Sequence, residues 1–350
     1  MLIMASVDNL TPRRFAPAFP NVEANRYLLD YVKVHHPEFY PGGALSSQPA
    51  CDGGGVHYTG LYYACCVVAG NIWHPMEGRD STKYEEYDHP FLSTSRDPSD
   101  REARLTIPDD EIIRPAPIGK AYFFPVPSNT NHRRYAIVPS FDHRIPPDGV
   151  KIKIPAPWLS LDPLHDDPNS NNSYRSYREC FATLASSSPQ RPSPQDLICC
   201  LTKEYLSVDF CRVIPKSEER WFIGNDMQKY STSNDQHNGP LNRICNVMPF
   251  RLDALGYFGQ GHLSLVPKLD KSTGLYTLPT HAVRYPKELL NPRGRLQFHD
   301  IFHNYLLYPH PIKWIPVEYL FTRFAWTLFS DQVMTLLNDA KGVTFPPAPS

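Results

Sequence analysis

Four groups of residues in this chain have types and spacings that could do chemistry. His299 and His303 stand four apart with Asp300 beside the first, so on a helix both imidazoles share one face and can take a zinc ion. No third ligand is apparent nearby, and structural zinc sites want four, so the pair reads first as a helix face packed on its domain. His165-Asp166-Asp167 joins an imidazole to two carboxylates. It sits among Pro, Asn and Ser, whereas a ligand site needs rigid support, so it reads as a solvated turn. Cys211, His237 and His262 offer a thiol and two imidazoles at spacings that match no zinc pattern. Their ordinary reading is a half-buried strand residue and two surface-loop residues. Gly53-Gly54-Gly55 has neither a P-loop lysine nor a dinucleotide fingerprint after it and reads as a loop.

The elements that must position these groups are short. Asn21–His36 has a helical pattern ended by Pro37, and His57–Trp73 is an apolar run whose β-branched and aromatic residues suggest a buried strand or strand pair. Ala121–Val126 and Tyr135–Phe141 are further strand candidates, and residues 77–116 form a charged, proline-punctuated excursion. Ile198–Thr202 and Val208–Ile214 read as a hairpin stopped by Pro215, with Ser217 capping the helix that carries Trp221 and Phe222. Residues 250–258 suggest further helical turns, and Leu263–Val266 a closing strand. Leu275–Pro279 and Ala282–Tyr285 continue as short strands, then 296–307 as a helix. Pro316 starts a last helix whose Val317, Leu320, Phe321, Phe324 and Leu328 form one apolar stripe.

A chain of 350 residues with 41% hydrophobic and 20% charged residues has the composition of a folded protein with a sizeable core. The 37 prolines place long irregular connections between short strands. A net charge of −1 argues against a basic nucleic-acid surface over the whole chain, and basic and acidic residues balance between 191 and 270. The eight cysteines lack a disulfide-framework spacing, there is no signal-peptide pattern at the N-terminus, and no apolar run spans a bilayer. These features predict an intracellular protein, of cytoplasm or nucleus, with no membrane partner. The expected fold class is α+β: a strand-rich N-terminal region over 1–160, a linker with a short helix over 161–194, a central module over 195–270, C-terminal strands and helices packed on it over 271–341, and a disordered tail from 342.

The central module carries an ordered series of motif residues: Cys200 and Thr202, Ile214-Pro215-Lys216, Trp221-Phe222, Asn225, Met227, Tyr230, Asn246-Val247-Met248-Pro249-Phe250-Arg251, Asp253, Phe258 and Val266-Pro267-Lys268. In this it resembles the fungal form of the HNH nuclease domain, tightly over 198–268 and loosely over 120–340. The resemblance implies a ββα-metal unit in which a strand histidine activates water and helix ligands hold a divalent cation on the scissile phosphate. Here Arg212 stands at the base position, and a guanidinium stays protonated. The helix ligand positions are Leu255 and Gly259, which offer no donor. Asn246, the retained asparagine of the set, is implied to pin the loop that bears the base, and the acidic pair before it appears as Asn242-Arg243.

Three readings follow. The first is a catalytically impaired pseudo-nuclease that binds a DNA or RNA backbone through Arg212, Lys216 and Arg251, with no cofactor. For Arg251 the rival role is to tie the helix to the scaffold through Asp253; for Arg212 it is a salt bridge to a nearby acidic residue. The second is an active endonuclease with Mg or Zn held by rebuilt ligands such as Cys211 and His262. The third is a non-catalytic protein-interaction module.

Overall fold

The computed structural model describes residues 30–73, 89–108, 111–127, 135–148, 152–161, 197–231, 239–286, 292–308 and 311–336. His165-Asp166-Asp167, His237, the linker over 161–194 apart from Leu161, and the tail lie outside them. The chain is α+β, with small sheets rather than one large one.

The helix expected over Asn21–His36 is replaced, in its described part, by strand β1 (Tyr31–His35). Val32 and Val34 are buried while Lys33 is exposed, the period of two that a strand requires. It pairs antiparallel with β2 (Ala44–Pro49). A two-residue strand, β3 (Val56–His57), leads into helix α1 (Tyr58–Val68), where a strand was expected. This helix is buried around most of its circumference, and an apolar run of that kind has no period to separate helix from strand. β3 pairs with β4 (Ile112–Ile113), and β5 (Tyr122–Phe123) joins β1 in parallel. Tyr135–Phe141 forms no strand, and a short helix α2 (Ala156–Leu159) buries Trp158.

The hairpin expected between Ile198–Thr202 and Val208–Ile214 does not form. Residues 199–203 close on themselves as a turn, with Lys203 N–H donating to Cys199 O. Strand β6 (Val208–Arg212) pairs instead with β7 (Val247–Arg251), whose first four residues are buried. Ser217 does not cap the intervening helix α3 (Glu219–Gly224): its hydroxyl donates to Glu218. Helix α4 (Leu252–Gly259) follows β7 directly and packs on both strands. Then come β8 (Leu263–Leu265), β9 (Lys268–Asp270), β10 (Leu275–Thr277), β11 (Thr280–Ala282), α5 (Pro292–Phe302) and α6 (Val317–Leu328); β8 pairs with β11 and β9 with β10.

Among the described residues, two apolar clusters form the core. One gathers Trp221, Phe222, Phe250 and Phe258 around β6, β7 and α4; the other gathers Leu61, Val67, Phe124 and Trp158 around α1. The stripe on α6 joins them, with Leu320 in the first and Phe321, Phe324 and Leu328 in the second. No helix among the described residues is long and apolar enough to cross a membrane.

Candidate functional site

Strand β6, strand β7 and helix α4 bring most of the expected site residues together. The ladder sets Arg212 opposite Val247 and Cys211 opposite Met248. Cys211 Sγ lies 4.0 Å from Leu255 O, and a Cβ on Gly259 would meet it at 3.8 Å. Cys211 and positions 255 and 259 therefore converge on one spot, where the thiol is the only side-chain donor of the three. Burial pushes that thiol's pKa up, against the pull of Arg323 and Arg212, which favours the neutral thiol over the reactive thiolate.

At the end of β6, Arg212 is half-buried and its Nη2 donates to Asn242 Oδ1 at 2.7 Å. Asn246 is fully buried. Its Oδ1 accepts from Ile214 N at 2.8 Å, and its Nδ2 donates to Leu241 O at 2.9 Å and Ile214 O at 3.2 Å. One amide thus clasps the segment that leaves β6 to the segment that enters β7. Lys216 is exposed. Arg251 is gripped by Glu204 and, at 2.6–2.8 Å, by Asp253, whose carboxylate also accepts from Ala254 N at the start of α4. Those two carboxylates engage the donors that a phosphate would need.

His262 is not a surface residue but 6% exposed, with Nε2 on Gln260 Oε1 at 3.1 Å. Among the described residues, Cys211 and His262 belong to no group of three metal-binding side chains. Arg323, on α6, is the residue here that sequence reasoning missed. It is fully buried, stacked 3.9 Å from the Phe258 ring centre and 4.6 Å from that of Trp326, and its Nη1 reaches Val213 O at 3.4 Å. Burial lowers its pKa to about 10, and the two ring faces stabilise the charge that remains.

A second centre lies where residues far apart in sequence meet. Asp52, before the glycine run, is 1% exposed. Its Oδ1 takes Lys268 Nζ at 2.5 Å, His303 Nε2 at 2.9 Å and Asn304 Nδ2 at 2.9 Å, and its Oδ2 takes the His57 N–H at 3.0 Å. His281 Nδ1 stands 3.7 Å from Oδ2. His299, the other member of the i, i+4 pair, faces Cys51 O at 2.9 Å. Lys268 and its neighbours hold the Asp52 carboxyl well below its ordinary range despite burial, and burial lowers Lys268 and brings His303 to about 3.

Asp52, His281 and His303 are near enough to share a metal ion, but their hydrogen bonds do not fit one. His303 Nδ1 accepts from Ala282 N at 3.0 Å, so its proton sits on Nε2, aimed at Asp52. A ligating imidazole does the reverse: it offers a lone pair to the metal and donates its other N–H outward. The Lys268 ammonium already supplies Asp52 Oδ1 with a positive partner at 2.5 Å. The sequence marked His303 and the glycine run but gave no sign that they meet.

No protein-family model, curated protein or solved structure matches this chain.

Proposed function

We propose that β6, β7 and α4 form an HNH-like strand–strand–helix scaffold that has lost catalysis and holds a nucleic-acid backbone. The observation that carries the reading is Arg212. Its guanidinium stands at the end of β6, beside a segment clasped by Asn246, and Cys211, Leu255 and Gly259 meet next to it without a set of metal ligands. An arginine so placed binds a phosphodiester by charge-assisted hydrogen bonds and cannot deprotonate water. The exposed Lys216 adds a second positive charge to the same loop. The nearby cleft of about 250 Å³ suits phosphate less, since Asp142 and Glu218 line it along with Arg284.

Two measurements test this. Supercoiled plasmid incubated with the protein and Mg²⁺, Mn²⁺, Ni²⁺ or Zn²⁺ is expected to stay intact; metal-dependent nicking overturns the loss of catalysis. Binding of labelled DNA and RNA duplexes is expected to weaken steeply with salt, with each of Arg212→Ala and Lys216→Ala reducing the log–log slope by about one. A slope near zero, or no binding at low salt, removes the nucleic-acid reading.

A non-catalytic interaction module is the second reading, favoured by one patch. Tyr205, Leu206 and Leu252 are 52%, 66% and 55% exposed around the Leu252 N–H to Ser207 O bond, an apolar group on the outer end of the same strands.

A further inference from the structure

The Asp52 centre holds a nucleophile, an electrophile and a proton carrier in mutual contact, with water excluded. Lys268, Asn304 and Asp52 are 0%, 1% and 1% exposed. Lys268 Nζ lies 2.6 Å from Asn304 Oδ1, so the amine is at the carboxamide group itself. A single carboxylate oxygen, Asp52 Oδ1, touches both the Lys268 nitrogen that would attack, at 2.5 Å, and the Asn304 nitrogen that would leave, at 2.9 Å. Asn304 adopts the left-handed region, with φ 64, a conformation that non-glycine residues hold where the surrounding structure demands it. His303 Nε2 and the His57 N–H keep the carboxylate in place from its other sides.

We infer that this chain cross-links itself through an isopeptide bond between Lys268 Nζ and Asn304 Cγ, with Asp52 as the proton carrier. The Lys268 ammonium first gives a proton to Asp52, leaving a neutral amine and a neutral acid. The amine's electron pair forms a bond to Asn304 Cγ. The proton that the attacking nitrogen sheds passes through Asp52 to Asn304 Nδ2, the Cγ–Nδ2 bond breaks, and ammonia departs. The Asp52 proton ends on that ammonia as ammonium, so Asp52 is a carboxylate again. Lysine ammonium plus carboxamide has become amide plus ammonium, with no oxidant, reductant or cofactor. Burial lowers the Lys268 pKa and so eases its loss of the proton, and once that proton has crossed, Asp52 loses the ammonium that held it ionised. The fixed contact supplies the proximity that free lysine and asparagine side chains lack in water. Asp52 takes the relay role rather than that of electrophile, because its Oδ1 touches both the Lys268 and the Asn304 nitrogens. The nearby Glu111 is taken by His57 at 3.1 Å.

The test is the intact mass of the purified full chain under denaturing, reducing conditions, followed by digestion and fragmentation. The wild type is expected to be lighter than its Lys268→Arg variant predicts by one ammonia, beyond the difference of the substituted side chain. A branched peptide joining residues 268 and 304 is expected in the digest. Asp52→Ala is expected to keep the uncrosslinked mass. Asn304→Asp is expected to reach the wild-type linked mass by losing water instead. A wild-type chain at full sequence mass with no branched peptide overturns the proposal, and this measurement needs no variant to fold. A branched peptide joining 268 to 52, lighter by one water, overturns the assignment of Asn304 as the electrophile.

Discussion

At the scale of single residues, the buried polar groups of this protein differ in how completely they are satisfied. Asn246 meets three backbone groups with one carboxamide. Truncation leaves buried backbone groups unmet, so Asn246→Ala is expected to cost about 2–4 kcal/mol, read as a lower denaturant midpoint; an unchanged midpoint would mean the clasp is idle. Arg212 behaves differently, since Asn242, which accepts its hydrogen bond, is neutral and does not offset its charge. Restoring an imidazole there supplies a base but no metal. Arg212→His is therefore expected to leave supercoiled plasmid intact in every divalent metal, because Leu255 and Gly259 still lack ligand atoms, and robust nicking by this variant would mean that the cation is held elsewhere.

At the scale of elements, close backbone approaches decide which substitutions the fold accepts. Gly55 sits where β3 meets β4, and a Cβ there would lie 2.4 Å from Ile113 O and 2.5 Å from Ile112 Cγ2. The oxygen belongs to the backbone and cannot swing away, so Gly55→Ala is expected to lower stability by about 1–3 kcal/mol. On α4 the same change should be harmless. A Cβ on Gly259 meets Cys211 Sγ at an ordinary 3.8 Å, and alanine favours helix over glycine by up to about 1 kcal/mol. Thermal melts of the two variants, one lowered and one unchanged or raised, would check the packing of both pairs of elements; a matching loss in Gly259→Ala would contradict the α4 contact.

At the scale of the whole molecule, the Asp52 centre ties the N-terminal segment to strands and helices more than two hundred residues later. His303 is neutral in the fold, its pKa brought down from 6.5 to about 3 by burial foremost, and His281 is lowered in the same direction. Lys268 opposes their protonation, while Asp52 favours it without prevailing. The unfolded chain binds the protons that the folded chain refuses. This contribution to stability is complete above pH 6.5 and is lost as pH falls toward 3, by about 1.4 kcal/mol per unit for each such histidine. Melting temperature is expected to fall between pH 7 and pH 5, and a flat profile over that window would show that these imidazoles are not held neutral.

Some of this was legible in the residues alone. The apolar stripe at 317–328, the helical turns after 250 and the strand at 263–265 follow from local periodicity and turn residues, which act within a few positions. The histidines at 299 and 303 also announced a packed helix face by their spacing. Other features depended on partners that no local pattern names. The run at 57–73 became a helix because burial from nearly every side erases the period that distinguishes the two structures. The strand at 208–212 found its partner at 247–251 rather than at 198–202, since ladder pairing is chosen by which backbone the folded chain brings alongside. The meeting of Asp52, Lys268 and Asn304 was decided by tertiary structure alone. Each residue type is unremarked in sequence, and only the exclusion of water around all three turns an ordinary acid, amine and amide into groups that can react.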